Sequence, residues 1–384
     1  MIEIKGKYNA ALVMAETLDD TTRQQIQEFV NHPVSQNTRI AIMADAHAGA
    51  GCVVGYTATL GDYVVPALVG VDVGCGVAAF ELGSIDVDFE DFDEFIRAHI
   101  PSGFSVHKEP RPLARGPCVA DAIAVANKIG IDPDRVVRSL GTLGGGNHFI
   151  ELDTDLVGST WLVIHSGSRN FGLRVANFWQ KQARSLLAKF FIGKDQHKGL
   201  EFLPVGHGAE GYLADMQVAQ AYAGLNRTIM AGDIIEGYFG AMASSLRSVV
   251  SVHNYISPED DQCDSIVRKG AISAHEDEEV IIPLNMRDGA IIGKGLGSRK
   301  WNYSAPHGAG RVLSRKQAKR TLSLGDFIAT MEEAGVWSSS VGPDTLDEAP
   351  GAYKPADSIV SSLGETVEIT AMLKPVYNFK ASNA

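Results

Sequence analysis

The sequence is compatible with an α+β protein in three respects. Short apolar segments rich in β-branched residues, separated by turn residues, fill the first quarter. Amphipathic stretches with helical spacing precede and follow them. The tail, ETVEITAMLKPVYNFK, returns to a strand-like pattern. These segments are compatible with the class; they do not by themselves say how sheets and helices pack.

Taken in order, residues 19–32 (DDTTRQQIQEFVNH) read as a helix capped by Asp or Thr, with Ile26, Phe29 and Val30 on one face. TRIAIM, CVVGYTATL, VVPALVGV and GVAAFEL read as strands. FEDFDEFIRAHI is an amphipathic helix, and ADAIAVANKIG is another that ends at Gly130. WLVIH is a strand leading into a turn, SGSRN, and a helix follows over residues 173–190. A longer helical region covers 211–242, with glycines that could break it. EEVIIP and AIIG are strands, and SRKQAKRTL opens a basic segment that reads as a solvated helix face or an RNA-facing patch. HKEPRPLARGP and SSSVGPDTLDEAPGAYKP are the most loop-like stretches, and neither marks a domain boundary. One domain over residues 1–384 is the expectation.

The hydrophobic fraction of 45% is that of a globular protein with room for a sizeable core. A net charge of −12 argues against non-specific coating of nucleic acid, which needs Lys and Arg to neutralise phosphates, while leaving room for a local basic groove. The four cysteines, Cys52, Cys75, Cys118 and Cys263, form no CxxC pair. The N-terminus lacks the pattern of a secretory signal, and no stretch approaches the roughly 18 apolar residues of a membrane span. A reducing, cytoplasmic compartment with no membrane partner is expected.

Four short segments each end an apolar, strand-like run with metal-capable side chains. VGVDVGCG carries Asp72 and Cys75; GTLGGGNHFIE carries Asn147, His148 and Glu151; VIHSGSRN carries His165 and Arg169; VHNY carries His253 and Asn254. A carboxylate, a thiolate and three imidazoles suit one or two borderline divalent ions. Two ions close together suit phosphoryl transfer. Each residue alone has a plainer reading, a hydrogen-bonded histidine or a small buried cysteine.

SAPHGAGR is the most suggestive peptide. Small residues after His307 expose consecutive backbone N–H groups that could cradle phosphate oxygens, and Arg311 adds a planar cation. The imidazole could be a base, a metal ligand or a nucleophile, or it could be incidental to a glycine turn.

Together, DAHAGAG, VGVDVGCG, LGTLGGGNHFIEL, HSGSRNFG, HNY, VRKGAISA, SAPHGAGRVLSR, AYK and a lysine near the C-terminus occur in an order that resembles the RtcB family of RNA-splicing ligases. The resemblance spans residues 45 to 380. It implies an α+β fold of packed mixed β-sheets flanked by helices around a central metal cleft. It implies two Mn²⁺ ions, one on Asp72, Cys75 and His148, the other on Cys75, His165 and His253 with the thiolate bridging. His307 would be the nucleophile that becomes guanylylated by GTP. Asn147, His148, Phe149, Ile150, Glu151, His253, Asn254, His307, Gly308, Ala309 and Gly310 would line the guanylate site, with Tyr353 against the guanine and Lys380 at its edge. Arg169 would contact RNA phosphate. The implied reaction joins 2′,3′-cyclic-phosphate or 3′-phosphate RNA ends to 5′-hydroxyl ends, in tRNA splicing or RNA repair. The partners are broken RNA and an activating protein, and a monomer is expected.

The chain departs from the family in one loop. Where members carry PGSMG, this chain has Pro283, Leu284, Asn285 and Met286, followed by Arg287, Asp288 and Gly289. These four residues are expected near the nucleotide, with Asn285 still able to donate a hydrogen bond and Arg287 adding charge. The change keeps two alternatives in view: a manganese-dependent phosphodiesterase or nucleotidyl hydrolase that makes no His307 adduct, and a non-catalytic RNA-binding protein on the same scaffold. His47 is expected to support the site near Asp45. His32, His107, His197, His207 and His275 are expected to be surface or structural.

Overall fold

The computed structural model of the protein describes residues 1–15, 17–190, 197–258 and 264–381. Cys263 lies outside them. Two large sheets carry the fold, in keeping with the expected α+β class. The first has six strands in the order Ile2–Lys5, Ala10–Val13, Ile40–His47, Val54–Thr59, Ile266–Lys269 and Asn254–Ile256. It is antiparallel except where Ala10–Val13 runs parallel to Ile40–His47. The second has seven strands, all antiparallel, in the order Ser248–Val252, Gly76–Gly83, Thr160–Ser166, Phe149–Thr154, Val367–Lys380, Gly289–Gly295 and Glu279–Asn285.

Alternation along each strand explains how the second sheet is buried on both faces. On one face Val249, Val77, Val163, Phe149, Leu373, Ile292 and Ile281, one from each strand, meet in a single cluster. The Ile281 N–H of one edge strand donates to Ser251 Oγ of the other at 2.9 Å. The sheet therefore curls until its edges meet. Its other face packs Ile150, Leu152, Leu162 and Ile164 against Phe92 and Ile96 of helix Phe89–His99 and Met230, Ile234 and Ile235 of helix Ala209–Gly237. The six-stranded sheet buries Ile4, Val13, Ile42 and Tyr56 beneath Ile26, Phe29 and Val30 of helix Asp20–Val30.

Most elements lie where the sequence places them. Asp19 caps the first helix by accepting from Thr22 N, and Gly130 ends helix Pro117–Ile129 in the left-handed region at φ 74°. Other stretches are refined or changed. The long helix Ala209–Gly237 is unbroken: two of its glycines face open space, and Gly211 lies where a Cβ would meet the Trp179 ring at 2.4 Å. Burial on several sides outweighs the helix penalty of about 1 kcal/mol per glycine. VVPALVGV is not a strand beyond Tyr63–Val64, because Pro66 opens a 3-10 turn over Pro66–Leu68. The SGSRN turn is cut short by helix Arg169–Phe190, which starts inside it. The basic segment is helix Arg315–Thr321, closed by a capping box between Ser314 and Gln317. The loop-like stretch before Tyr353 holds two 3-10 turns, Pro343–Glu348 and Pro350–Ala352. Helices Pro133–Arg138 and Leu324–Glu333 and the two N-terminal strands have no counterpart in the sequence reading. No described helix is long and apolar enough to cross a membrane.

Strand register sets the stage for the site. Gly76 lies opposite Ser166, Val77 opposite His165, and His165 opposite Phe149. Cys75, His165 and His148 thus arrive at one end of three adjacent strands. Lys380 lies opposite Phe149 at the same end. His253 sits where the chain leaves the seven-stranded sheet at Val252 and enters the six-stranded sheet at Asn254.

Candidate functional site

Cys75, His148 and His165 place their ligand atoms within 4.8 Å of one another, all buried. Cys75 Sγ is 3.5 Å from His148 Nε2 and 3.3 Å from His165 Nε2. Each imidazole is oriented by a backbone carbonyl at its other nitrogen: His148 Nδ1 meets Leu143 O at 2.9 Å, and His165 Nδ1 meets Asn147 O at 3.1 Å. A proton on Nδ1 satisfies both carbonyls and turns the Nε2 lone pairs toward the thiol, the arrangement of metal-bound histidine. Asp72 Oδ2 lies 3.0 Å from His148 Nε2, while its Oδ1 accepts from Ser168 N and Oγ at 3.1 and 3.2 Å. His253 lies beside this group, its ring centroid 5.3 Å from that of His165. The donor set of one thiol, imidazoles and a carboxylate fits a borderline divalent ion.

The electrostatics fit a cation-binding site. Burial alone would raise the Asp72 carboxyl, but its neighbours, among them Cys75 and Arg169, outweigh it and hold Asp72 down at about 2. Burial pushes the Cys75 thiol well up, with Asp72 adding to it. Burial also drives His165 and His253 well below the ordinary imidazole range, so both are neutral and free to ligate.

The ligand-bearing segments are sewn together from behind by helix Ala209–Gly237. Asn226 Oδ1 accepts from Gly141 N and Thr142 N at 2.8 and 3.1 Å, and its Nδ2 donates to Thr142 O, Ser166 Oγ and Gly167 O. The buried Arg227 guanidinium donates to Gly74 O at 2.9 Å and Ser166 O at 2.7 Å. Arg169 braces the same loop through Thr142 Oγ1 and Gly103 O, both at 2.9 Å. This turns the expected RNA-phosphate contact inward, at the cost of a left-handed backbone at φ 57°. Gly144 must be glycine, because a Cβ there would overlap the Arg169 guanidinium.

His307 stands at the other side of His253, ring centroids 4.8 Å apart. Its Nδ1 is 2.6 Å from Asp45 Oδ2, and the same oxygen accepts from His307 N at 3.1 Å. Asp45 is fully buried, and its Oδ1 has no hydrogen-bond partner. A buried carboxylate with one acceptor committed to Nδ1 keeps the proton there and leaves Nε2 with its lone pair. Lys354 Nζ steadies the strand carrying Asp45 through Ala44 O and Ala46 O at 2.9 and 2.8 Å. Gly310, at φ 71°, packs so tightly on the Asp45 backbone that a Cβ would lie 2.1 Å from Asp45 O. His47 meets Asp45 through the backbone carbonyl, Nδ1 to O at 3.0 Å, and not through the carboxylate.

A cleft opens between these groups. Of the residues expected at the nucleotide, Asn147, Phe149, Glu151, His253, Pro283, Leu284, Asn285, Met286, His307, Gly308, Ala309, Gly310, Tyr353 and Lys380 line it. His148 belongs to the metal-capable cluster beyond its wall. Ile150 does not reach the cleft: strand alternation turns it to the opposite face, among Phe92 and Leu152. Asn254 is also absent from the lining, its Nδ2 donating to Asp72 O and its Oδ1 accepting from Gly270 N. Asn285 lines the cleft, but its side chain bonds Asp288 Oδ2 and the N–H groups of residues 287 and 288, and Arg287 pairs with Asp288. The loop therefore closes on itself, and the donor and the charge expected from it are already engaged.

Glu348 and Asp45 are the site groups the sequence reading passes over. Glu348, buried on the cleft wall, takes Arg311 Nη1 at 3.3 Å, Tyr353 OH at 2.6 Å and Lys380 Nζ at 3.1 Å, and pairs with Arg315. An acidic residue in a proline-flanked, loop-like stretch carries no local mark of such a role; the basic residues of SRKQAKR were the available hint.

Comparison with known proteins agrees with this arrangement. A family model described as tRNA-splicing ligase RtcB matches residues 25–381. The chain is 29% identical over 378 residues to the RNA-splicing ligase RtcB1 of Escherichia coli, covering 88% of each chain. It is 30% identical over 396 residues to RtcB2 of the same species, covering 94% of this chain and 92% of the relative. To the tRNA-splicing ligase RtcB of Aeropyrum pernix it is 26% identical over 402 residues, covering 83% and 82%. With a match that runs almost from end to end, the chain belongs to the RtcB family.

Proposed function

We propose that the chain is an RNA ligase that seals 2′,3′-cyclic-phosphate or 3′-phosphate ends to 5′-hydroxyl ends, using GTP and two Mn²⁺ ions. The observation that supports this most is the Asp45–His307 pair, 2.6 Å apart, with His307 lining the cleft that His165 of the Cys75–His148–His165 group also lines. Asp72, Cys75 and His148 would hold one ion, and Cys75, His165 and His253 the other. Bound there, the ions would supply positive charge to phosphoryl oxygens.

The chain's own groups account for the rest. His307 Nε2 attacks the α-phosphorus of GTP; the N–P bond forms as the P–O bond to pyrophosphate breaks. Asp45 holds the Nδ1 proton and offsets the charge that appears on the ring. The N–H groups after His307, with Arg311, face the phosphate oxygens. Water opens a cyclic phosphate by breaking the bond to O2′. An oxygen of the resulting 3′-phosphate then attacks the guanylate phosphorus and returns His307 to its neutral form. Finally the 5′-hydroxyl oxygen attacks the 3′-phosphorus, GMP leaves with the bonding pair, and the hydroxyl proton passes to solvent.

The test is sealing of two RNA strands with defined ends, in the presence of GTP and Mn²⁺. Joined product is expected with the wild type and none with Cys75→Ala or His307→Ala. Opening of the cyclic phosphate without joining would favour the phosphodiesterase reading. Binding of RNA with neither would leave the scaffold non-catalytic.

A further inference from the structure

One acid, Glu348, gathers the basic side chains that line one part of the cleft. Glu348 is 2% exposed, yet four cleft-lining side chains converge on it. Lys380 Nζ donates to Oε2 at 3.1 Å and Tyr353 OH to the same oxygen at 2.6 Å, while Arg311 and Arg315 bind Oε1. Tyr353 OH also accepts from Arg311 Nη1 at 3.1 Å, so both functions of the hydroxyl are engaged. The Arg311 guanidinium lies 4.9 Å from the Tyr353 ring centroid. Among the described residues, Glu348 is the one hydrogen-bond acceptor of the Lys380 ammonium. An ammonium has three N–H donors, so two remain for a ligand.

We propose that Glu348 is the positioning residue for base selection: it holds Lys380 as a fixed, charged donor that favours a purine with an oxygen at its six-position over one with an amino group. This rests on the reading of the cleft as a guanylate site. The physical argument is short. A lysine in a buried wall, without an anion, would lose charge or swing away on its flexible stem. Paired with Glu348 it does neither. A donor held in one place and stripped of water accepts a carbonyl oxygen and rejects an amino group that offers only N–H bonds, because the mismatch leaves buried donors unpaired. Burial would raise the Glu348 carboxyl, but Lys380, Arg315 and Arg311 together hold it at about 2, so the anchor is charged at any working pH.

The test uses equilibrium binding of GMP and AMP to the full chain by calorimetry, with Mn²⁺ present, and so does not depend on catalysis. The wild type is expected to prefer GMP by tenfold or more. Glu348→Gln should lower that ratio about tenfold, as should Lys380→Met, and the double variant should be no worse than Lys380→Met alone. A residue with a merely structural role would instead weaken both nucleotides equally and add to the lysine loss. If Glu348→Gln does not fold, Glu348→Asp, which keeps the charge but draws it back by one methylene, must give a ratio between those of the wild type and Lys380→Met. Equal affinity of the wild type for GMP and AMP overturns the assignment. So does an unchanged ratio in the folded glutamine or aspartate variant. GMP preference without any covalent His307 product would sink the ligase reading alone; a covalent product with a ratio indifferent to Glu348 would sink this assignment alone.

Discussion

In the proposed reaction, Asp45 is the residue on which His307 depends as nucleophile. Asp45→Asn keeps the shape but puts an amide where a charge was, and the imidazole loses the group that fixes its tautomer and offsets its charge. Single-turnover transfer of label from GTP to the protein should fall by about a hundredfold or more, with nucleotide affinity little changed. Transfer at the wild-type rate would show that His307 works without its acid. At Glu348 the charge balance makes a prediction in pH. Its carboxyl is lowered from 4.5 to about 2 in the folded chain, so its contribution to stability is complete above about 4.5 and is lost as pH falls toward 2. Urea midpoints of the wild type and Glu348→Gln should differ most near neutrality and converge across that window. A gap that is constant with pH would mean the carboxylate's charge plays no part. The sequence makes His307, Cys75, His148 and His165 legible, because each stands in a short peptide with glycines around it, and His253 because it ends an apolar run. Asp45 and its partner are 262 residues apart in sequence, and no local pattern links them. Ile150 shows the opposite fault: it sits inside a telling peptide, yet strand alternation sends its side chain to the wrong face.

At the scale of elements, helix Ala209–Gly237 does more than cover the sheet. Asn226 and Arg227, adjacent in sequence, hold the loops that present Cys75, His148 and His165. Asn226→Ala would leave the Gly141 and Thr142 amides without their acceptor. That should cost about 2–3 kcal/mol in urea unfolding and weaken Mn²⁺ binding by tenfold or more in calorimetry. Unchanged metal affinity would mean the loops keep their shape without the helix. Sequence reading placed this helix but worried about its glycines, since periodicity cannot say whether a glycine faces open space or a tryptophan ring. It could not weigh Asn226 either, because a mid-helix asparagine reads as a weak helix former until the backbone groups it serves are in view. Many strands were legible from their β-branched runs, but the short N-terminal pair, Ile2–Lys5 and Ala10–Val13, was not, and Pro66 ends another early. The altered loop at residues 283–289 was read as a source of new contacts; the structure turns its polar groups upon one another.

Across the whole molecule, the candidate metal centre lies where two sheets meet, with His253 on the crossover between them. Ligation there ties the seven-stranded sheet to the six-stranded one, so metal should stabilise global unfolding rather than a local loop. At a hundredfold excess over its dissociation constant, a bound ion would add about 2.7 kcal/mol. Melting temperature should rise with Mn²⁺, return with chelator, and become insensitive to both in Cys75→Ala. A shift that persists in that variant would locate the metal elsewhere.

The measurement that bears most directly on the whole account is incubation of the protein with α-labelled GTP and Mn²⁺, followed by denaturing electrophoresis. Label should remain on the wild-type chain through an acid-labile bond and be absent from His307→Ala. Label that survives the loss of His307, or a wild-type chain that never acquires it while metal and nucleotide are both bound, would contradict the central claim.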